Sequence, residues 1–239
     1  MRILLIGYGK MGKTIEQIAL QKGHEVVGII DIQNRESLQD FNGRNTDVAI
    51  EFTHPASAPK NIQYCLQNQI PIVSGSTGWL VDLPKIKQVC NQEAGSFFYA
   101  SNFSVGVNLF FHFNEYIAAK MQSYTNFEVE IKEVHHTQKA DKPSGTAITT
   151  AEGLLNNYKI KTKWVSDAAH PQPQELNIVS ERLTDVVGLH TVRYTSAHDT
   201  LELTHNAHSR IGFAEGAVMA AEWLPGKTGI YGMKDLLNL

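Results

Sequence analysis

Residues 135 to 146 read His135-His136-Thr137-Gln138-Lys139-Ala140-Asp141-Lys142-Pro143-Ser144-Gly145-Thr146. An imidazole beside a lysine can move a proton and balance negative charge near neutral pH. Before this segment, Phe127 to Val134 alternates apolar and charged residues, the pattern of a half-buried strand. After it, Ala147 to Leu155 reads as a helix. The order is therefore strand, polar loop, helix start, and the unpaired N–H groups of a helix start attract an anion. Lys139 and the hydroxyls of Ser144 and Thr146 would complete a cradle for a carboxylate or phosphate. These residues imply an anionic substrate and an acid/base step. Adjacent residues on a strand point to opposite faces. Spacing alone does not say which histidine donates a proton and which binds the anion.

A second chemistry sits at the other end of the chain. Arg2 to Ile6 is a short apolar run, as expected of a parallel strand buried on both faces. Gly7-Tyr8-Gly9-Lys10-Met11-Gly12 follows at once, and Lys13 to Lys22 reads as a helix ended by Gly23. Val26 to Ile30 is a second buried strand, and it closes on Asp31, nineteen residues after Gly12. This is the order a dinucleotide site requires: a tight turn, close backbone approach to a pyrophosphate, helix–strand packing, then an acid for the adenosine ribose. Asp31 favours a free 2′-hydroxyl, and Ile32 offers no charge to a 2′-phosphate. NADH is thus slightly preferred, with NADPH kept open by Lys10 and Arg35 nearby.

Further strands are expected at Val48 to Thr53, Pro71 to Ser74 and Phe97 to Ala100, with a helix from Ala58 to Gln67. Each strand runs into small or polar residues, and such strand ends lie on the carboxyl edge of a parallel sheet, where open α/β folds bind ligands. The cofactor set therefore extends from Gly7, Tyr8, Gly9, Lys10, Met11, Gly12 and Asp31 to Phe52 and Thr53. It continues through Gly75, Ser76 and Thr77 to Ala100, Ser101, Asn102 and Phe103.

Beyond Val107 the pattern changes. A helix is read from Asn108 to Met121, then strands at 178–182, 188–197 and 199–207, a helix from Gly212 to Leu224, and a tail that packs back on the first half. The expected architecture is a Rossmann-type parallel sheet domain (1–105 and 207–239). It is joined to an α+β domain (106–206) with an open mixed, largely antiparallel sheet. The second domain would bind substrate and form the oligomer, with a cleft between the two lobes.

A net charge of −3 gives no general attraction to nucleic acid or to an anionic membrane. No apolar run approaches the roughly 20 residues that span a bilayer. No signal-peptide layout is seen, and the two cysteines, Cys65 and Cys90, have no metal-like or redox-like spacing. A cytoplasmic location is expected. The chain has 10 histidines. No HExxH pair occurs, and His170, His190, His198, His205 and His208 lack a companion cysteine or carboxylate at ligand spacing, so no metal is expected. His190 and His205 read as surface or satisfied structural histidines, and His54 as a turn residue or one near the cofactor.

Taken together, these motifs resemble the 4-hydroxy-tetrahydrodipicolinate (dihydrodipicolinate) reductase family. That family carries E-x-H-H-x-x-K-x-D-x-P-S-G-T-A, and this chain matches every fixed position from Glu133 to Ala147. Gly9 to Gly12, Gly75 to Gly78, Asn102 to Asn108, Asp185 to Gly188, Ser209-Arg210 and Phe213-Ala214 also fit. The resemblance implies reduction of a cyclic dicarboxylate by NADH or NADPH, with loss of water, in lysine biosynthesis. It makes His135 the general acid and Lys139 its assisting cation. His136, Lys139, Ser144, Gly145 and Thr146 become ligands of the substrate carboxylates. It also implies a homotetramer built on the second domain's sheet. The chain departs from the family in its short span between Asp31 and Val48, in Ile32 where NADPH users often carry arginine, and in Ser76 and Thr184. Two other readings remain open: another Rossmann dehydrogenase of amino-acid metabolism, and a module that binds NAD(H) without turnover. Neither needs the paired histidines followed by Ser-Gly-Thr.

Overall fold

The computed structural model describes residues 1–239, which divide into two compact units, Met1–Val105 with Ile211–Leu239, and Gly106–Arg210. In the first unit, β1 (Arg2–Ile6) leads through α1 (Lys10–Gln21) to β2 (Glu25–Ile30), and β3 (Val48–Glu51) leads through α2 (Ala58–Gln67) to β4 (Ile72–Ser74). Then come α3 (Leu83–Gln92) and β5 (Ser96–Tyr99). The chain leaves through α4 (Val105–Met121) into the second unit. That unit holds β6 (Glu128–His135), α5 (Gly145–Asn157), β7 (Lys163–Ser166), β8 (Glu175–Arg182), β9 (Gly188–Thr195) and β10 (Thr200–Ala207). The return to the first unit is made by α6 (Ile211–Trp223), β11 (Gly229–Tyr231) and α7 (Met233–Leu237).

The first sheet has six strands in the order β11-β5-β4-β3-β1-β2, with every pairing parallel. Its strands are apolar without alternation because both faces are covered. Ile3 and Leu5 face one core with Ile15, Ala19 and Val218, while Leu4 and Ile6 face the other with Ile62, Leu66 and Ile86. Each of these isoleucines, leucines and valines, fully buried, contributes about 1.5–3 kcal/mol. The strand order reverses at β1, between β2 on one side and β3 on the other. The loops after β1 and β3 therefore diverge and leave a crevice at their carboxyl ends.

Helix α1 starts at Lys10, with Gly9 as its N-cap, three residues before the Lys13 start read from the sequence. Gly12 thus lies inside the first turn. A Cβ there would stand 2.2 Å from the Gly7 carbonyl oxygen, so only glycine lets the helix pack this close to the turn. The tail after Gly226 is ordered: β11 adds an edge strand beside β5, and Met233, Leu236 and Leu237 of α7 pack on the core of β1 and β3.

The second sheet has five strands in the order β10-β9-β6-β8-β7. It is mixed: β9 is antiparallel to both β10 and β6, while β8 is parallel to both β6 and β7. One face carries Val129, Ile131, Leu176, Ile178, Val192 and Tyr194 against Phe110 and Met121 of α4 and Ala147, Ala151 and Leu154 of α5. The other face is charged, with Lys132 bound to Glu181 at 2.8 Å and Arg193 set between Glu130 and Glu202.

Candidate functional site

In the first unit, the crevice at the strand reversal is a groove of about 460 Å³, lined by Gly7, Tyr8, Gly9, Asp31, Phe52 and Thr53 among others. Gly7 has φ +98°, and a Cβ there would meet the Phe52 carbonyl oxygen at 2.1 Å. Around Gly9 nothing lies within 4 Å of that position, so a ligand can approach the bare backbone. No acidic residue stands in the first turn of α1 to oppose an anion there. Asp31 closes the far wall, its Oδ1 accepting from the Gln33 amide at 2.7 Å. Arg35, His54 and Lys60 line the same groove.

Not every expected cofactor residue faces the groove. Ser76, Ala100 and Phe103 are buried and do not line it. The Phe52 ring fills the space beside Gly75 and lies 5.7 Å from the Phe103 ring. Thr77 and Ser101 are exposed on their loops, with Asn102 half-buried. Beneath Thr53 is a residue the sequence reading missed. Glu51 ends β3 and is 0 % exposed, with no cation paired to it among the ion pairs. Its carboxylate accepts from Ser74 Oγ at 2.6 Å, Ser76 Oγ at 2.7 Å and the Thr53 amide at 2.9 Å, and also from Thr53 Oγ1. A buried carboxylate held this way ties the β3 and β4 strand ends into one rigid rim. The signal available was a charged residue closing the run Val48-Ala49-Ile50 in a strand buried on both sides.

In the second unit, the strand phase that buries Val129 and Ile131 continues to Glu133 and His135. The apolar face of the sheet thus turns polar at one end. Glu133 is paired across the ladder with His190 of β9, and His135 with Arg182 of β8. Glu133, 0 % exposed, contacts His135 Nδ1 through Oε2 and accepts from Arg182 Nη1 at 2.9 Å through Oε1. Burial alone would raise its pKa, but hydrogen bonds from His135, Ser180 and Arg182 hold it down at about 2. The His190 ring stands edge-on to His135, centroids 5.0 Å apart. Burial first, and then the charge of His135, push His190 down to about 3, so it is neutral at physiological pH. His190 is therefore not a surface histidine. It is 4 % exposed, with an unpartnered Nδ1, and its Nε2 lies 3.1 Å from Ser144 Oγ.

Glu133, His135 and His190 offer three ligand atoms within 4.8 Å of one another, a grouping no local spacing revealed. Both Glu133 oxygens are already engaged, one by a guanidinium, so the cluster carries its own positive partners.

The loop beyond β6 places the remaining expected residues. His136 is half-buried, in the opposite phase to His135, and its carbonyl accepts from the Lys139 amide at 3.1 Å. Lys139 reaches Asp141 at 2.8 Å, and that hydrogen bond lowers the Asp141 pKa. The Lys142–Pro143 bond is cis. Ser144 caps α5, its Oγ accepting from the Ala147 amide at 3.1 Å. Ser144 is buried, so its hydroxyl serves the helix start and His190. Gly145 is exposed and Thr146 half-buried, and their N–H groups have no partner inside the helix.

A glycine turn at the reversal of a parallel sheet, with an acid ending the next strand, belongs to dinucleotide-dependent oxidoreductases that carry substrate chemistry on a separate unit. The family models place the chain within that class. The N-terminal model of dihydrodipicolinate reductase matches residues 1–103 and the C-terminal model matches residues 106–237, and the chain belongs to this family. A 4-hydroxy-tetrahydrodipicolinate reductase of Christiangramia forsetii is 48 % identical over 241 residues, covering 100 % of this chain and 98 % of that protein. One from Neisseria meningitidis serogroup A is 38 % identical over 200 residues, 81 % of this chain and 73 % of that protein. Among solved structures, dipicolinate-bound dihydrodipicolinate reductase from Paenisporosarcina sp. TG-14 shares the fold, with a TM-score of 0.82 at 23 % identity over 98 % of both chains. The family is NAD(P)H-dependent. No helix of the chain is long and apolar enough to cross a membrane.

Proposed function

We propose that this chain reduces 4-hydroxy-tetrahydrodipicolinate to tetrahydrodipicolinate, with loss of water, using NADH or NADPH in the diaminopimelate route to lysine. The observation that carries the reading is the buried Glu133–His135 pair at the foot of the loop that bears Lys139 and leads into the capped start of α5. In this reading His135 is the general acid and Lys139 its assisting cation. His136, Lys139 and the N–H groups of Gly145 and Thr146 bind the substrate carboxylates, with Ser144 holding that helix start in place. A reduced nicotinamide dinucleotide, its pyrophosphate held by the glycine turn, would supply the hydride. The chain's residues orient it, and His135 supplies the proton.

NADH is the favoured cofactor because Asp31 lines the groove where the adenosine ribose would lie, and Ile32 beside it is uncharged. Arg35 and Lys60 in the same groove support use of NADPH as well. A cytoplasmic homotetramer is part of the proposal, with the charged face of the second sheet and its β10 edge as the contact surface. A module binding NAD(H) without turnover would have no use for a carboxylate buried against an imidazole.

The test is a coupled assay from aspartate semialdehyde and pyruvate, following NADH and NADPH oxidation separately. Oxidation of both, with the higher kcat/KM for NADH, is expected. No oxidation above the enzyme-free rate overturns the reading. Light scattering at a tetramer mass supports the assembly, and a monomer removes it.

A further inference from the structure

We propose that Glu133, fixed by Arg182, is a positioning residue that holds His135 in its Nδ1-protonated form and commits Nε2 to proton exchange with substrate. The inference rests on the reading of His135 as the general acid. Three observations carry it. First, Glu133 sits in the core phase of β6, its Oε1 accepting from Arg182 Nη1 and its Oε2 in ion-pair contact with His135 Nδ1. A carboxylate is acceptor-only, so the Nδ1 facing it must carry hydrogen in either charge state of the ring. Second, Arg182 is itself anchored. Its Nη1 also reaches the Glu181 carbonyl at 2.7 Å, and its Nη2 the Asp141 carbonyl at 2.7 Å. The guanidinium thereby ties the acid's carboxylate to the loop that bears Lys139. Third, the other ring nitrogen is left room. A Cβ on Gly188 would lie 3.0 Å from His135 Nε2, so the glycine at the start of β9 leaves that nitrogen uncrowded.

The surroundings are consistent across every packed element. His190 of β9 faces His135 edge-on, Arg182 comes from β8, Lys139 and Asp141 from the loop, and His205 of β10 is the cross-strand partner of His190. The step balances simply. The Nε2 proton passes to substrate as the hydride arrives from the reduced nicotinamide, and the ring is left neutral with hydrogen on Nδ1 alone. Rebinding one proton from solvent at Nε2 resets it. Fixing Nδ1–H removes the competing tautomer, in which the exchanging nitrogen would face Glu133 instead of substrate.

The experiment compares Glu133→Gln and wild type in the same assay and by ¹⁵N NMR of the histidine rings at pH 8. An amide brings one acceptor to a place where two donors converge, so either Arg182 or His135 loses its partner. The expected result is a kcat lowered by roughly 10–100-fold with little change in the NADH KM, the usual worth of an outer partner. The wild-type His135 ring should show the Nδ1–H form, and the variant a mixture. Wild-type kcat in Glu133→Gln overturns the inference. So does an Nε2–H ring in the wild-type protein, a measurement that needs no variant to fold. Undiminished turnover in His135→Gln refutes the acid assignment itself. Loss of turnover there, with a wild-type Glu133→Gln, removes the positioning role alone.

Discussion

Lowering the pH from 7 to 5 should loosen the second unit through one buried histidine. His190 titrates at about 3 in the folded chain against 6.5 when unfolded, because burial disfavours its charged form. Its folded pKa is depressed, so stability is full above pH 6.5 and is lost as pH falls toward 3, since the unfolded chain binds a proton the folded chain refuses. At pH 5 the free histidine is almost wholly protonated. The loss relative to pH 7 is about 1.9 kcal/mol, from 1.36 kcal/mol per pKa unit over about 1.4 effective units. Glu133, held at about 2 against an ordinary 4.5, acts below this window and adds little at pH 5. His205 is also lowered by burial and pulls the same way. The assay is amide hydrogen exchange in β9, corrected for intrinsic rates, in wild type and His190→Gln. Wild-type protection should fall by at least about 25-fold between pH 7 and 5, the equivalent of the His190 share alone. The variant should lose clearly less, because only His205 remains. Equal losses in the two proteins, or no loss in wild type, would refute the reasoning.

Other expectations concern the reaction and the cofactor. His135→Gln should cut turnover by roughly 10²–10⁴-fold with cofactor binding unchanged, and near-normal turnover removes it as the acid. Lys139→Ala should raise the substrate KM and lower kcat together; steady-state constants equal to wild type would leave Lys139 as a partner of Asp141 only. In Glu51→Gln, an amide N–H₂ would face donors from Ser74, Ser76 and Thr53, costing about 2–3 kcal/mol at the rim. Cofactor affinity, read by fluorescence titration, should fall by at least tenfold while α5 and its loop keep their exchange protection. Asp31→Ser should move the NADPH-to-NADH ratio of kcat/KM toward NADPH, because Arg35 and Lys60 would then meet a phosphate without a facing carboxylate. An unchanged ratio separates Asp31 from cofactor choice.

How far the site was legible follows from whether its parts are local. The glycine turn, the strand that precedes it and the acid at the end of β2 are contiguous, so their order in the chain is their order in space. The loop from His135 to Thr146 is likewise one segment, and Ser144 caps α5 as its residue type and position require. The start of α1 was misplaced because Lys10, Met11 and Gly12 read as turn. Only the approach of Gly12 to Gly7 shows that the turn and the first helical residues are the same backbone. The short strands β7 and β11 carry little pattern of their own and exist through their pairing with β8 and β5.

The sequence by itself determined the class of chemistry, because residue types and close spacing suffice to define a glycine turn, a strand-end acid and a histidine–lysine loop at a helix start. Tertiary structure alone decided which groups tune that chemistry. Glu133 and His190 are separated by helix α5 and two intervening strands, β7 and β8, and they meet only because β6 and β9 pair in one register. A slip of either strand by one residue would turn its member of the pair away from the core. Arg182 joins them by the same kind of accident of register, across β8. A charged residue in the buried phase of a strand, at 133 as at 51, was visible in the sequence as an anomaly. Its meaning was not, since the partners that make a buried carboxylate tolerable are supplied by neighbouring strands.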